Sequence, residues 1–142
     1  MDLQLMTPFE VLHRYRKHHH TLSDTLASRL EKNAHDLFCI DGNKSYTWQE
    51  FAIDVQKTTQ LLQQKGITPH DRVGIMSRNQ YTHVVLLFAL GHLSAILVPI
   101  NPEFSLQEAS YVLAHAELSG LVFDQHSSPV AQTALQEKHL HP

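Results

Sequence analysis

The chain is 142 residues long, room for one ordinary domain with a real hydrophobic core. Its 42% hydrophobic and 18% charged residues exclude intrinsic disorder, and five glycines and six prolines exclude collagen-like and low-complexity classes. A formal net charge of −3 leaves no basic excess for nucleic acid, and a single cysteine, Cys39, excludes a disulfide scaffold and a cysteine zinc site.

Residues 1–20 read as a lead-in. The opening Met1 to Met6 is acidic and lacks the apolar run of an export signal, so the expected location is the cytoplasm. His18, His19 and His20 follow Arg14, Arg16 and Lys17. They read as a solvated basic arm; the alternative is a transition-metal site, for which no carboxylate or cysteine lies nearby.

Thr21 to Asn33 predicts a helix, with Thr21 as N-cap and Asp24 three residues on. Leu37 to Ile40 is a short strand, Asp41-Gly42-Asn43-Lys44 a hairpin turn, and Ser45-Tyr46 the returning strand. Thr47 and Glu50 form a capping box for a helix over Trp48 to Lys65. Its predicted apolar stripe is Phe51, Ala52, Val55, Leu61 and Leu62, and Gly66 suits a left-handed C′ position.

Arg72 to Met76 predicts a strand. Asn79 is placed to cap a largely apolar, buried helix over Gln80 to Leu93, which Ser94-Ala95 ends without a left-handed glycine. Ile96 to Ile100 is an uninterrupted apolar strand, suited to a parallel sheet covered on both faces, with Pro99 near an edge or strand end. The apolar stretch Val84 to Ile100 has 17 residues and contains Gly91, His92, Ser94 and Pro99. As a helix it spans roughly 26 Å, short of a bilayer core, so it divides into a helix and a strand. Ser105 and Glu108 box the next helix, with Leu106, Ala109, Val112, Leu113 and Ala116 on one face. Gly120 closes the loop before a strand at Leu121 to Phe123, and Val130 to Lys138 is a last weak helix.

From Arg72 the order is strand, helix, strand, helix, strand. The fold class is therefore α/β: half of a doubly wound, mostly parallel βαβαβ sheet with right-handed crossovers, preceded by a helix and a short hairpin. No two of the glycines 42, 66, 74, 91 and 120 lie within five residues, so no dinucleotide fingerprint or Walker loop is present. Gly74, inside a strand, reads as a packing glycine. His83, His92, His70 and His115 read as partly buried or solvated imidazoles, and His139 and His141 lie in the tail. None has a placed partner that makes it a general base. Ligands of such sheets sit beyond the strand carboxyl ends, which leaves Ser77-Arg78-Asn79 and Asn101 to Ser105. Arg78 reads as a surface charge, or alternatively as a partner for a phosphate or carboxylate; Glu103 repels an anion.

The ordered series of motifs resembles the adenylate-forming superfamily: acyl-CoA synthetases, luciferases and peptide-synthetase adenylation domains. Tyr46-Thr47-Trp48-Gln49-Glu50-Phe51 is similar to its "T-Y-x-E-L" start. Leu62 to Ile75 resembles "L-x-x-x-G-V-x-x-G-D-R-V-A-I". Asn79 matches the "P-N-S" turn, Leu90 to Pro102 resembles "L-x-x-x-G-A-x-x-V-P-L-N-P", and Glu108 and Leu113 fit "E-L-x-Y-x-L". The likeness covers roughly residues 20 to 125. His70 and Ser94 stand where the family usually has glycine, and Ser77-Arg78 departs before Asn79; these changes are expected to cost loop or packing stability, not chemistry.

The family's phosphate loop, Tyr-x-x-Thr-Glu and Thr-Gly-Asp segments and late catalytic lysine do not occur in the chain. The resemblance therefore implies the N-terminal part of a carboxylic acid:CoA ligase of the kind that serves fatty acid metabolism, lacking the catalytic motifs. The full enzyme takes ATP, Mg, CoA and a carboxylic acid; no catalytic, cofactor-binding or metal residue is assigned to these 142 residues. The implied division is a lead-in at 1–20, a partial AMP-binding-type domain at 21–126, and a tail or next element at 127–142, with the rest of the enzyme as packing partner. The alternative is a self-contained, doubly wound binding or interaction module without catalysis.

Overall fold

The computed structural model describes residues 21–140. Helix α1 (Leu22–Asn33) starts at a full capping box: Thr21 Oγ1 accepts the Asp24 N–H, and the Asp24 carboxylate accepts the Thr21 N–H. Strands β1 (Leu37–Asp41) and β2 (Lys44–Thr47) form an antiparallel hairpin, turned at Gly42 with φ +60°. Thr47 and Glu50 box helix α2 (Trp48–Gln64), and Gly66 ends it at φ +86°.

The second half alternates β3 (Arg72–Met76), α3 (Tyr81–His92), β4 (Ile96–Ile100), α4 (Leu106–His115), β5 (Gly120–Phe123) and α5 (Ser128–Leu140). All three strands run parallel in the order β4-β3-β5. The predicted α/β, doubly wound architecture is therefore the observed one.

Side-chain alternation along β3 divides the interior in two. Val73 and Ile75 point into a core built with Leu26, Phe51, Val55, Val85 and Leu90 of the first three helices. Met76 points the other way, into a core with Ile100, Ala109, Leu113, Ala131 and Ala134 under α4 and α5. Gly74 lies on that second face, where a Cβ would come 2.7 Å from Leu118 Cδ1 and 2.8 Å from Leu121 Cδ1. Its role is close packing, as its place in the strand predicts. An aromatic group fastens the hairpin to α2 and α3: Phe38 stacks on Phe51 at 4.1 Å and Tyr46 on Tyr81 at 3.7 Å between ring centroids.

Some expectations hold and others need correction. Asn79 does not cap α3: Gln80 holds the N-cap position without a side-chain bond, and the Tyr81 N–H donates instead to Asp41 Oδ2, 2.9 Å away, at the end of β1. Leu61 is 54% exposed, because α2 turns that flank away from the core. β4 is an edge strand, as Pro99 indicates, but it is not covered along its length; Ile96 is 46% exposed. Gly120 lies within β5, and the left-handed residue of that loop is Glu117, φ 50°. Ser94 itself takes the left-handed position after α3. The last helix starts at Ser128 and buries Ala131 and Ala134. Val84 to Ile100 splits between α3 and β4, and no helix among the described residues is long and apolar enough to cross a membrane. The His18–His20 triplet and His141 lie outside the described residues.

Candidate functional site

Parallel strands bring their carboxyl ends to one side, where three loops converge. Each contributes one polar side chain: Arg78 after β3, Glu103 after β4 and His126 after β5. Their backbones are pinned. Asp124 Oδ2 accepts the Arg78 N–H at 3.1 Å while Oδ1 accepts the Ser127 N–H at 2.8 Å, and Asn101 Oδ1 accepts the Glu103 N–H at 3.0 Å. The Ser127 amide, followed by the Arg78 amide, outweighs partial desolvation and holds the Asp124 carboxyl below its usual range.

Arg78 Nε lies 3.8 Å from Glu103 Oε1, and His126 Nε2 lies 3.3 Å from the same oxygen. Arg78 Nη2 is 3.1 Å from both ring nitrogens of His126. Arg78 thus faces a carboxylate of its own chain. The group is solvated, with Arg78 60% and Glu103 66% exposed, so its ion pairs stabilise by about 1 kcal/mol or less. With Asp124 bonded to the Arg78 backbone and Glu103 facing its guanidinium, the acidic groups at least balance Arg78. His126 escaped the sequence reading; its only signal was its place three residues after a strand end.

The other histidines are scattered. His83 Nδ1 is 3.3 Å from Ser77 Oγ, His92 Nδ1 is 2.6 Å from Ser23 Oγ, and His115 Nδ1 is 2.8 Å from the Tyr111 carbonyl oxygen. None of these meets a nucleophile and an orienting carboxylate together, which general base chemistry needs. Cys39 packs against the first core, and burial pushes its thiol up, away from a reactive thiolate. Among the described residues no group of three or more His, Cys, Asp or Glu side chains is placed to hold a metal ion.

At the opposite end of the sheet, Asp71 and Arg72 form a clasp. Asp71 Oδ1 accepts the Ser119 hydroxyl at 2.6 Å, and Oδ2 accepts the Thr68 N–H and hydroxyl at 2.6 and 2.8 Å. The Asp71 carbonyl accepts the Ile96 N–H, and the Arg72 carbonyl accepts the Ser119 N–H, both at 2.8 Å. Arg72 Nη1 reaches the Ala116 carbonyl and Glu117. These two residues thus tie together the loops that enter all three strands. Their work is structural.

A cleft of about 340 Å³ lies between α2, α3 and β5. Its walls include Leu61, Leu62, Ile75, Val85, Leu86 and Val122, with Ser77 and Asp124 at the strand ends. It is mainly apolar and holds no cation.

The frame is thus a parallel β4-β3-β5 sheet under two helical layers, with a clasp at its entry. The chain matches the AMP-binding enzyme family over residues 26–141 and belongs to it. It is 25% identical over 126 residues to the crotonobetaine/carnitine–CoA ligase of Proteus mirabilis, covering 87% of this chain and 24% of that one. It is 34% identical over 86 residues to the mitochondrial medium-chain acyl-CoA ligase ACSF2 of Danio rerio, covering 61% of this chain and 14% of that one. Its fold superposes on a benzoate CoA ligase from Burkholderia xenovorans LB400 with a TM-score of 0.77 and 17% identity, over 82% of this chain and 24% of that one. The chain thus spans a quarter or less of the length of these proteins.

Proposed function

We propose that the chain supplies the first part of the large domain of an ATP-dependent carboxylic acid:CoA ligase, and that within such an enzyme it is scaffold. The observation that carries this reading is the use made of the family motifs. Thr47 and Glu50 cap α2, Asp71 and Arg72 clasp the strand entries, and Ser105 and Glu108 cap α4. Each conserves its side chain's bonds for the fold and offers none to a substrate.

The chemistry of such a ligase has two steps. A carboxylate attacks the α-phosphate of ATP, giving acyl-AMP and pyrophosphate; a thiol then displaces AMP and takes the acyl group. Charge builds on the phosphate during the first step and needs fixed donors, a metal and a cation. The strand-end cluster and the apolar cleft do not fit ATP, Mg or CoA. Arg78 faces Glu103 and lies next to Asp124, there is no glycine-rich cradle, and the apolar cleft has no cation. In this reading residues 1–20 are a lead-in, 21–126 a partial AMP-binding-type domain and 127–142 the start of the next element. The enzyme works in the cytoplasm on a carboxylic acid.

The rival reading, a self-contained binding module, does not account for the ordered series of family motifs. The coding sequence beyond Pro142 tests the proposal. A Ser/Thr/Gly-rich loop ending in Lys-Gly is expected after roughly 30 or more further residues, about one βαβ unit. An intact downstream frame without such a loop overturns it.

A further inference from the structure

Three loops at the carboxyl ends of the sheet meet through one imidazole. Glu103 Oε1 lies 3.3 Å from His126 Nε2, and Arg78 Nη2 lies 3.1 Å from each nitrogen of the same ring. A guanidinium brings only N–H donors, and an ionised carboxylate only acceptors. The ring must therefore donate on one side and accept on the other. One form does both: the neutral ring with its proton on Nε2, which donates to Glu103 and accepts from Arg78 at Nδ1. The protonated ring carries N–H groups at both nitrogens. It keeps its bond to Glu103, loses its acceptor for Arg78, and sets a second positive charge beside the guanidinium.

Each element around the ring contributes a group that bears on this change. On the β5 side Asp124 is a second carboxylate within electrostatic reach of His126, but both its oxygens already accept backbone N–H groups, from Arg78 and Ser127. On the β4 side Glu103 is held by Asn101, which accepts its backbone N–H. On the α3 side His83 is linked to the cluster through Ser77, whose hydroxyl lies 3.3 Å from His83 Nδ1 and 3.4 Å from the Arg78 carbonyl oxygen. Because the Arg78 amide is pinned to Asp124, a change at His126 falls on the Arg78 side chain.

We propose that His126 is a pH-sensitive catch on Arg78: its neutral ring holds the guanidinium and Glu103 together, and its protonated ring keeps Glu103 and lets the guanidinium turn outward. Histidine ordinarily titrates near about 6.5 and carboxylates near about 4, so a histidine changes charge in a window where carboxylates ordinarily do not. Acid thereby unlinks a cation from its internal acceptor at the strand carboxyl ends, where ligands of such sheets sit. The side chains are solvated, so the catch sets where Arg78 points and has little effect on how stable the fold is. The inference does not depend on the ligase reading.

The test follows the 142-residue chain by NMR from about pH 8 to about pH 5. The Arg78 Nε–H group should gain fast motion with the same midpoint at which the His126 ring takes up its proton. His126→Gln removes that proton site, so the Arg78 motion should then stay flat over the range. His83→Gln should leave the transition in place. Arg78→Gln removes the opposing charge and should raise the His126 midpoint by at least about 0.3 pH unit; Glu103→Gln should lower it by about as much. An Arg78 signal unchanged across the range in the unaltered chain overturns the inference. So does a transition that survives His126→Gln, one abolished by His83→Gln, or a His126 midpoint unmoved by Arg78→Gln.

Discussion

The backbone N–H of His70 donates to the carbonyl of Ser94 at 2.9 Å, and both residues hold left-handed backbones, φ 71° and 56°. The bond joins the turn before β3 to the turn before β4, so it fixes how two parallel strands begin. Both positions are ones where the family resemblance implies glycine. A left-handed backbone costs an L-residue about 1–2 kcal/mol, partly offset by the lower chain entropy of a non-glycine residue when unfolded.

His70→Gly and Ser94→Gly are therefore expected to stabilise the chain by about 1 kcal/mol each, raising the melting temperature by roughly 4 °C. Glu117→Gly should gain less, because it also loses the 2.8 Å contact to Arg72. Thermal unfolding of the three variants checks this. Destabilisation by both His70→Gly and Ser94→Gly would show that their side chains do work the backbone does not reveal.

Asp41 caps α3 from forty residues away, and Tyr81 also donates its hydroxyl to Asp54 at 3.0 Å. Asp41→Ala should cost about 1 kcal/mol, similar to Ser105→Ala at the α4 cap, while Asn79→Ala should cost a few tenths at most. Denaturant midpoints decide it. A larger loss for Asn79→Ala than for Asp41→Ala contradicts the cap assignment.

That pair also marks where sequence reading ends. Local signals were legible: three capping boxes, the Gly42 and Gly66 turns and the βαβαβ order all stand, because each is written within a few neighbouring residues. Asp41 and Tyr81 meet only through the hairpin fold, so local spacing pointed to Asn79 instead. Leu61 fitted the apolar stripe of α2, but which flank of a helix is covered depends on its neighbours. At the strand ends Arg78 and Glu103 were found by topology. His126 was not, since nothing in its own segment distinguishes it from eleven other histidines.

Acid should unfold the chain through its clasp. The Ser119 hydroxyl, then the Thr68 amide and hydroxyl, hold the Asp71 carboxyl below its usual range. Glu50 is held down by the Thr47 amide and Glu108 by the Ser105 hydroxyl. A depressed folded-state pKa means stability that is present above the unfolded carboxylate value, about 4, and lost as pH falls through the folded one. Melting temperature should thus hold from pH 7 to about 5 and fall steeply below about 4. Asp71→Asn should be less stable at pH 7 and lose less on acidification; curves that run parallel throughout contradict the role given to Asp71.

The central claim is that these 142 residues build the frame of an adenylating enzyme without its catalytic groups. ATP–pyrophosphate exchange by the purified chain, with Mg and a panel of aliphatic and aromatic carboxylic acids, tests it most directly. The account predicts exchange no higher than in a mock preparation for every acid. Exchange clearly above the mock, and lost in Arg78→Ala, would show that the strand-end cluster does chemistry and contradict the account.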